Sequence, residues 1–445
     1  MIKRIVLFIL MLSPAMLMAA PKIQHWVTDD GLRVYYVNVP QIPMFDARLI
    51  FDAGSARDAG NAGMAKMTAA MLFEGADGLN ADQLAEKLES VGAEYSSGSA
   101  RDMAWITLRT LTLEKEQATA VDTWLKVIGS PDFPEKSFAR LKKQFLLGLQ
   151  AEKQSPAAIA TKAFYKNLYG DHPYASPTNG TEESIQAMTL DQLKAFRKQY
   201  YVAQNAVLAI VGAISREDAE ALAKQVSSKL GQGKRAETIP APKPLTEAKT
   251  IRIPYPSQQA HVMIGQLGDK RGDKDYFTLY TGNHTLGGGG FTSRLMKAIR
   301  DARGLSYSVY SYFSPMKELG PFILGLQTKI SQTDEAVNIA REQVKKFQAE
   351  GPTEEELTAA KKDITGSFPL GVASNDDIVG YLGMIGFYDL PLDYLDAFTG
   401  KINAITREQV ADAFKRRIHP DKMLTVIVGG EDKSEKAEKV EKVEN

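Results

Sequence analysis

The chain of 445 residues contains no cysteine. Disulfides, thiolate metal sites and a lipid-bearing N-terminal cysteine are therefore excluded. Histidine is scarce as well: His25, His172, His261, His284 and His419 are the whole set, and no two lie within 20 residues of each other. A mononuclear zinc hydrolase needs three protein ligands, an open position for water and a carboxylate to take the water's proton. Its usual helical solution sets two histidines four residues apart beside a glutamate, and no such local site is present. Charge of one sign is also missing. Lys plus Arg equals Asp plus Glu, 54 against 54, so no global field draws the chain to nucleic acid or to an anionic membrane.

The one long apolar run is Ile5 to Met18, too short for a comfortable membrane span. It follows a short basic start containing Lys3 and Arg4 and precedes the small residues Ala19 and Ala20. That is the plan of a cleavable secretory signal peptide over 1–20. Pro21 disfavours cleavage after Ala20, which points to a cut one residue earlier. Export to the periplasm is expected, with secretion beyond the cell as the alternative. The mature chain is long enough to bury large cores without covalent staples. Its net charge, once Lys3 and Arg4 are gone, is −2.

Length and an apolar fraction of 44% suit a globular chain of two domains. Val34–Val37 and Phe45–Phe51 read as a strand pair, with Pro40 and Pro43 between them. Helical patterns follow at 62–73, 81–91, 113–129, 135–153, 156–168 and 189–200, then a buried strand at 206–211 and a helix capped by Ser215. Residues 233–248, with Gly233, Pro240, Pro242 and Pro244 among Lys, Glu and Thr, read as a linker. The pattern then restarts. Strands are expected at 249–254, 260–266, 305–313, 321–329 and 423–428, and helices at 275–286, 292–303, 332–350, 353–366, 374–387 and 406–417.

The restart is an internal repeat. Thr189 and Gln192 form a capping-box pair ahead of strand Val207–Val211 and Gly212; Thr406 and Gln409 do the same ahead of Leu424–Val428 and Gly429, with the same 23-position span. A second echo links Leu84 to Tyr95–Ser96 with Leu295 to Tyr307–Ser308. The expected organisation is an N-terminal domain over 21–232, a linker, a C-terminal domain over 249–431, and a solvated Lys/Glu tail at 432–445.

Three stretches carry a family resemblance. Gly54-Ser55-Ala56-Arg57-Asp58, Asn61-Ala62-Gly63-Met64-Ala65 and Met71-Leu72-Phe73-Glu74-Gly75 resemble the N-terminal signature of the M16 zinc peptidases, which include pitrilysin and the mitochondrial processing peptidases. His172-Pro173-Tyr174, Gly180-Thr181-Glu182 and Asn205 to Gly212 resemble the loops and strand that follow. Leu286-Gly287-Gly288-Gly289-Gly290-Phe291-Thr292-Ser293-Arg294-Leu295 with Arg300 to Val309 resembles the C-terminal signature. The glycine run lacks the Gly-Lys-Ser/Thr end of a P-loop. Its physical meaning is a sharp turn or a close backbone approach.

The resemblance covers about Gly31 to Gly429. It implies an α+β fold of two homologous domains, each a mainly antiparallel sheet with helices on one face, closing as a clamshell around a chamber. In active members an H-x-x-E-H motif lies where this chain has Lys66, Met67, Thr68, Ala69 and Ala70. Lys66 and Ala70 stand at the two histidine ligands and Ala69 at the general base. The third ligand, a glutamate, aligns with Gly148 or Leu149. No zinc is expected in this chain. The family's Arg and Tyr, which contact substrate and the developing oxyanion, align with Arg300 and Tyr307; both are good donors to negative charge. The reading is a non-catalytic subunit paired with an active H-x-x-E-H subunit that carries zinc and acts on unfolded or short peptides. The alternative is a peptide-binding or structural scaffold with no part in catalysis.

Overall fold

The computed structural model describes residues 22–430. The expected signal peptide and the charged tail lie outside the described residues. In the first half, β1 (Gln24–Val27), β2 (Arg33–Asn38) and β3 (Met44–Phe51) come first, then the small hairpin β4 (Gly75–Ala76) and β5 (Leu79–Asn80), then β6 (Glu94–Ser99), β7 (Ala104–Leu111) and β8 (Ala206–Gly212). Their six-stranded sheet has the order β1-β2-β8-β3-β7-β6. In the second half, β9 (Lys249–Ile253), β10 (Gln259–Leu267), β11 (Ser306–Phe313), β12 (Pro321–Lys329) and β13 (Leu424–Val428) form a sheet ordered β11-β12-β10-β13-β9. Residues 232–248 between them hold no helix or strand. None of the described helices is long and apolar enough to cross a membrane.

Taken from its other end, the second sheet repeats five strands of the first. β2, β8, β3, β7 and β6 correspond to β9, β13, β10, β12 and β11, and each set has one parallel pair, β2 with β8 and β9 with β13. The repeat extends to backbone detail. Both capping boxes form, Thr189 with Gln192 and Thr406 with Gln409. Gly212 and Gly429 adopt φ of 141° and 144°, and a Cβ would stand 2.4 Å from the Met44 carbonyl at the first and 2.7 Å from the Gln259 carbonyl at the second. In each half a glycine is required where the strand ends against the start of its neighbour.

One expectation changes. β2 and β3 do not pair with each other, because β8 runs between them, parallel to β2 and antiparallel to β3. β8 is Ala-Val-Leu-Ala-Ile-Val-Gly and buried throughout; a strand apolar on both faces belongs in the middle of a sheet. The two-domain α+β arrangement holds, and each half packs one helix on the sheet of the other. The helix Asn375–Phe387 of the second half lies across β3 and β8 of the first sheet. Glycines let it approach: a Cβ at Gly383 would be 2.5 Å from Ile50, and one at Gly386 would be 2.6 Å from Tyr35 and Val207. The helix Pro156–Tyr169 of the first half lies across β10 and β13 in return, with Phe164 against Gly265 and a shared core of Ala160, Leu168, Leu424, Val426 and Val428. The halves exchange one helix each.

A buried carboxylate locks this exchange. Asp102, in the turn between β6 and β7, accepts from Tyr174 Oη at 2.5 Å, Tyr388 Oη at 2.9 Å and the Lys317 backbone N–H at 2.8 Å. Tyr388 directly follows the exchanged helix of the second half, so Asp102 joins both halves. Lys317 Nζ reaches Asp52 at 2.5 Å, where Arg57 also binds. Burial pushes the Asp102 carboxyl up, and the three donors oppose that shift.

Asp269 is a second buried carboxyl, fully enclosed, with neither oxygen receiving a hydrogen bond from another residue. Burial, then Asp273, pushes it up to about 7, against Arg417 and Arg271.

Replacing Asp102 by Ala leaves two buried hydroxyls and an N–H without their acceptor and should lower unfolding stability by about 3 kcal/mol or more, measured by urea denaturation. A loss below about 1 kcal/mol would show that the halves do not depend on it. Asp269 gives a pH test. The unfolded chain releases this proton near pH 4 and the folded chain near 7, so the folded state holds the extra proton in between, and stability falls as pH rises through that window. Asp269→Asn should therefore stabilise the protein more at pH 8 than at pH 5, the difference being about 1–3 kcal/mol. An equal effect at both values would show that the carboxyl does not titrate there.

Candidate functional site

The helix Met64–Met71 carries the positions of the missing zinc motif. Its start is held by Asp58, whose oxygens accept from the backbone N–H groups of Gly63 and Ala65 at 2.8 and 2.9 Å. Asp58 is buried, and burial pushes its carboxyl up to about 7 despite those two bonds. Lys66 and Ala70 are one turn apart on one face of the helix. Lys66 is exposed, and its Nζ donates to Asn179 Oδ1 at 2.5 Å. The Asn179 amide donates in turn to Glu152. The Lys66 ammonium also lies 5.8 Å from the Phe145 ring centroid. Ala69 is buried, and its carbonyl accepts from Ser97 Oγ of β6 at 2.7 Å.

On the helix Glu135–Lys153, Gly148 is exposed with open space at its Cβ position, and Leu149 is buried in the first half's core. The residue of that helix beside Lys66 is Phe145. An ammonium, two methyl groups and a phenyl ring supply no ligand for zinc. Glu152 is the single carboxylate in this network, and Asn179 engages it. Among the described residues no group of three His, Asp or Glu stands close enough to hold a metal ion. The residues present do not fit the metal that the fold family carries.

The second half builds a different site. The helix Tyr276–Asn283 runs into a wide turn at His284–Gly288, where i→i+5 bonding replaces the α pattern, and a second such segment spans Met296–Asp301. The expected helices at 275–286 and 292–303 are thus partly of this wider form. At Gly287 a Cβ would lie 2.3 Å from Ser311 Oγ, so the glycine run presses against β11. Gly290 turns with φ of 57° and presents Phe291 at the tip, 68% exposed.

Arg300, on the second wide segment, has its guanidinium carbon 4.8 Å from the Phe291 ring centroid and 5.5 Å from that of Tyr307. Asp301 is the carboxylate nearest it, at 3.6 Å. Tyr307 lies on β11, the edge strand of its sheet, and is 86% exposed. A bulge between Ser306 and Val309 leaves both Tyr307 and Ser308 exposed. It is fixed by Ser306 Oγ, which lies 2.6 Å from the Ser308 carbonyl and 2.7 Å from that of Gln327.

The structure therefore brings Arg300 and Tyr307 together and adds Phe291, which the sequence marked only as the residue after four glycines. It does not join them to Lys66, Ala69 and Ala70. The partners of Lys66 all belong to the first half and those of Arg300 to the second. A guanidinium stacked with two exposed rings can bind peptide carbonyls or a developing oxyanion.

Comparison with known proteins agrees with this division. Residues 33–182 match the family model described as Insulinase (Peptidase family M16), and residues 187–364 match that of the Peptidase M16 inactive domain. A Helicobacter pylori protein described as non-peptidase homolog YmxG is 29% identical over 443 residues, spanning 96% of this chain and 99% of its own. An uncharacterized zinc protease YmxG of Bacillus subtilis is 24% identical over 406 residues, spanning 91% of this chain and 98% of its own. The solved structure of a peptidase M16 inactive domain from Pseudomonas fluorescens is 42% identical, with a TM-score of 0.89, and covers 92% of this chain and 98% of that one. A Helicobacter pylori protease of 19% identity shares the fold at a TM-score of 0.83, over 92% of this chain and 100% of that one.

The purified chain, dialysed against zinc and then against buffer, should retain no stoichiometric metal, and a chelator should leave its melting temperature unchanged. Metal analysis showing one tightly held zinc per chain would overturn the assignment of Lys66, Ala69 and Ala70 as an emptied centre.

Proposed function

This chain belongs to peptidase family M16, and from that premise we propose that it is the non-catalytic subunit of a periplasmic, heterodimeric zinc peptidase, lending Arg300 and Tyr307 to a partner that carries the metal. It is an inactive member of the family: where the ligands and base would stand it has an ammonium and two methyl groups. The observation that carries the rest of the proposal is the Arg300–Tyr307 pair. The phenol is 86% exposed on an edge strand, beside a guanidinium whose nearest carboxylate is 3.6 Å away. Exposure of that degree contributes little to folding. It leaves both donors free to meet a group supplied from outside the chain.

In such a pair the partner's zinc would activate water, and this chain would hold the peptide backbone and stabilise the tetrahedral oxyanion. The phenol donates one hydrogen bond, and the guanidinium adds positive charge and further donors. Short or unfolded peptides suit the site, since an edge strand offers free backbone groups to an extended chain. Zinc belongs to the partner in this scheme.

The test uses the chain reconstituted with an active H-x-x-E-H subunit from the same genome. Activity should exceed that of either subunit alone. Tyr307→Phe removes one hydroxyl and keeps the ring, and turnover should fall about 10²–10³-fold with the melting temperature and the complex intact. Arg300→Ala should lower turnover and weaken substrate binding. A Tyr307→Phe complex with unchanged turnover and affinity would leave the scaffold reading in possession.

A further inference from the structure

A pocket of about 410 Å³ opens on the second half, between the start of helix Tyr276–Asn283 and the segment that follows the exchanged helix. Its walls are apolar and aromatic: Phe277, Leu390, Tyr394 and Ile405. Three cations line it, Arg271, Lys274 and Lys401. None of the three forms an ion pair among the described residues, and the Arg271 Nε is buried without a hydrogen-bond partner. Arg271 instead lies 5.5 Å from the Tyr388 ring centroid and 5.9 Å from that of Tyr276, and Lys401 Nζ lies 5.1 Å from that of Phe277.

The one carboxylate in the lining, Asp273, is taken by Arg417 at 2.6 Å. Its neighbour Asp275 is taken by Arg416 at 2.9 Å. The pocket thus combines a volume suited to a small organic molecule with apolar walls and three cations that no carboxylate of the described residues pairs.

We infer that this pocket binds a small amphiphilic carboxylate, its aromatic or short aliphatic body against Phe277, Leu390 and Tyr394 and its carboxylate between Arg271 and Lys401. A free acid is the occupant, since the helix Tyr394–Ala404 supplies part of the wall and the volume suits one side-chain-sized body with a head group. The site is independent of the Arg300–Tyr307 pair. A ligand there would brace Leu390 and Pro391, which follow Asp389, the partner of Arg33 and Arg235 from the first half and the linker.

The test is calorimetric titration and thermal denaturation of the full chain with phenylpropionate and octanoate, against phenylpropanol and octanol as neutral counterparts. The acids should bind with Kd of about 5 mM or tighter. The alcohols should bind at least about tenfold more weakly. Lys401→Met, at an exposed side chain, should weaken acid binding about tenfold without moving the ligand-free melting temperature, and Arg271→Gln should do the same or more. The inference fails if neither acid binds, if the alcohols bind as tightly as the acids, or if both charge variants keep the affinity of the unaltered chain.

Discussion

Each sheet in this chain has two apolar faces and only one set of helices of its own to cover them. β8 and β13 are buried along their whole length, so neither half can leave its second face in water. The solution is reciprocal: each half sends one helix across the other's sheet. Glycines at 265, 383 and 386 set the distance of approach, and bulk there would push the layers apart. Asp102 then fixes orientation, because three donors from separate segments must converge on one carboxylate. The chain is consequently one interlocked body, although its sequence is a repeat of two units.

That interlock explains how an emptied metal centre can persist without loss of fold. The zinc positions lie on a helix whose start is held by Asp58 and whose Ala69 carbonyl is held by Ser97. Neither tie involves a metal. Lys66 adds a third, through Asn179 to Glu152, and so links its helix to the helix Glu135–Lys153 that carries the remaining ligand position. A cation on a flexible stem can satisfy those oxygens while offering no coordination site. The chemistry is gone and the frame around it remains.

Much of this was legible in the sequence. The helix over 135–153, the Ser215 cap and the two capping boxes follow from local signals and stand where they were expected. The repeat was legible too, because Gly212 and Gly429 answer the same steric demand. The hairpin of β6 and β7 was not. β6 reads Glu-Tyr-Ser-Ser-Gly-Ser, an edge strand with no apolar alternation to mark it. The helix Tyr394–Ala404 was missed as well, lying without a side-chain cap behind a turn that holds Pro391. The insertion of β8 between β2 and β3 is a long-range fact, invisible to any local window. At the site, Arg300 and Tyr307 came from the resemblance. Their contact, and the place of Phe291 over the guanidinium, depend on two wide helical turns that no periodicity announces.

The same packing also bears on where a substrate could meet Arg300. The exchanged helices tie the two halves together, each lying across the sheet of the other. Tyr307 stands exposed on the edge strand β11, and Phe291 is exposed beside the same guanidinium. A free strand edge with exposed aromatic rings invites pairing with another chain, and natural proteins usually blunt such edges. Here the bulge at Ser306 to Val309 both disrupts regular pairing and helps leave Tyr307 exposed. One feature thus discourages indiscriminate association and keeps the phenol accessible. Under the proposed pairing, a second chain would stand opposite the Arg300 face and meet the phenol that this edge leaves exposed.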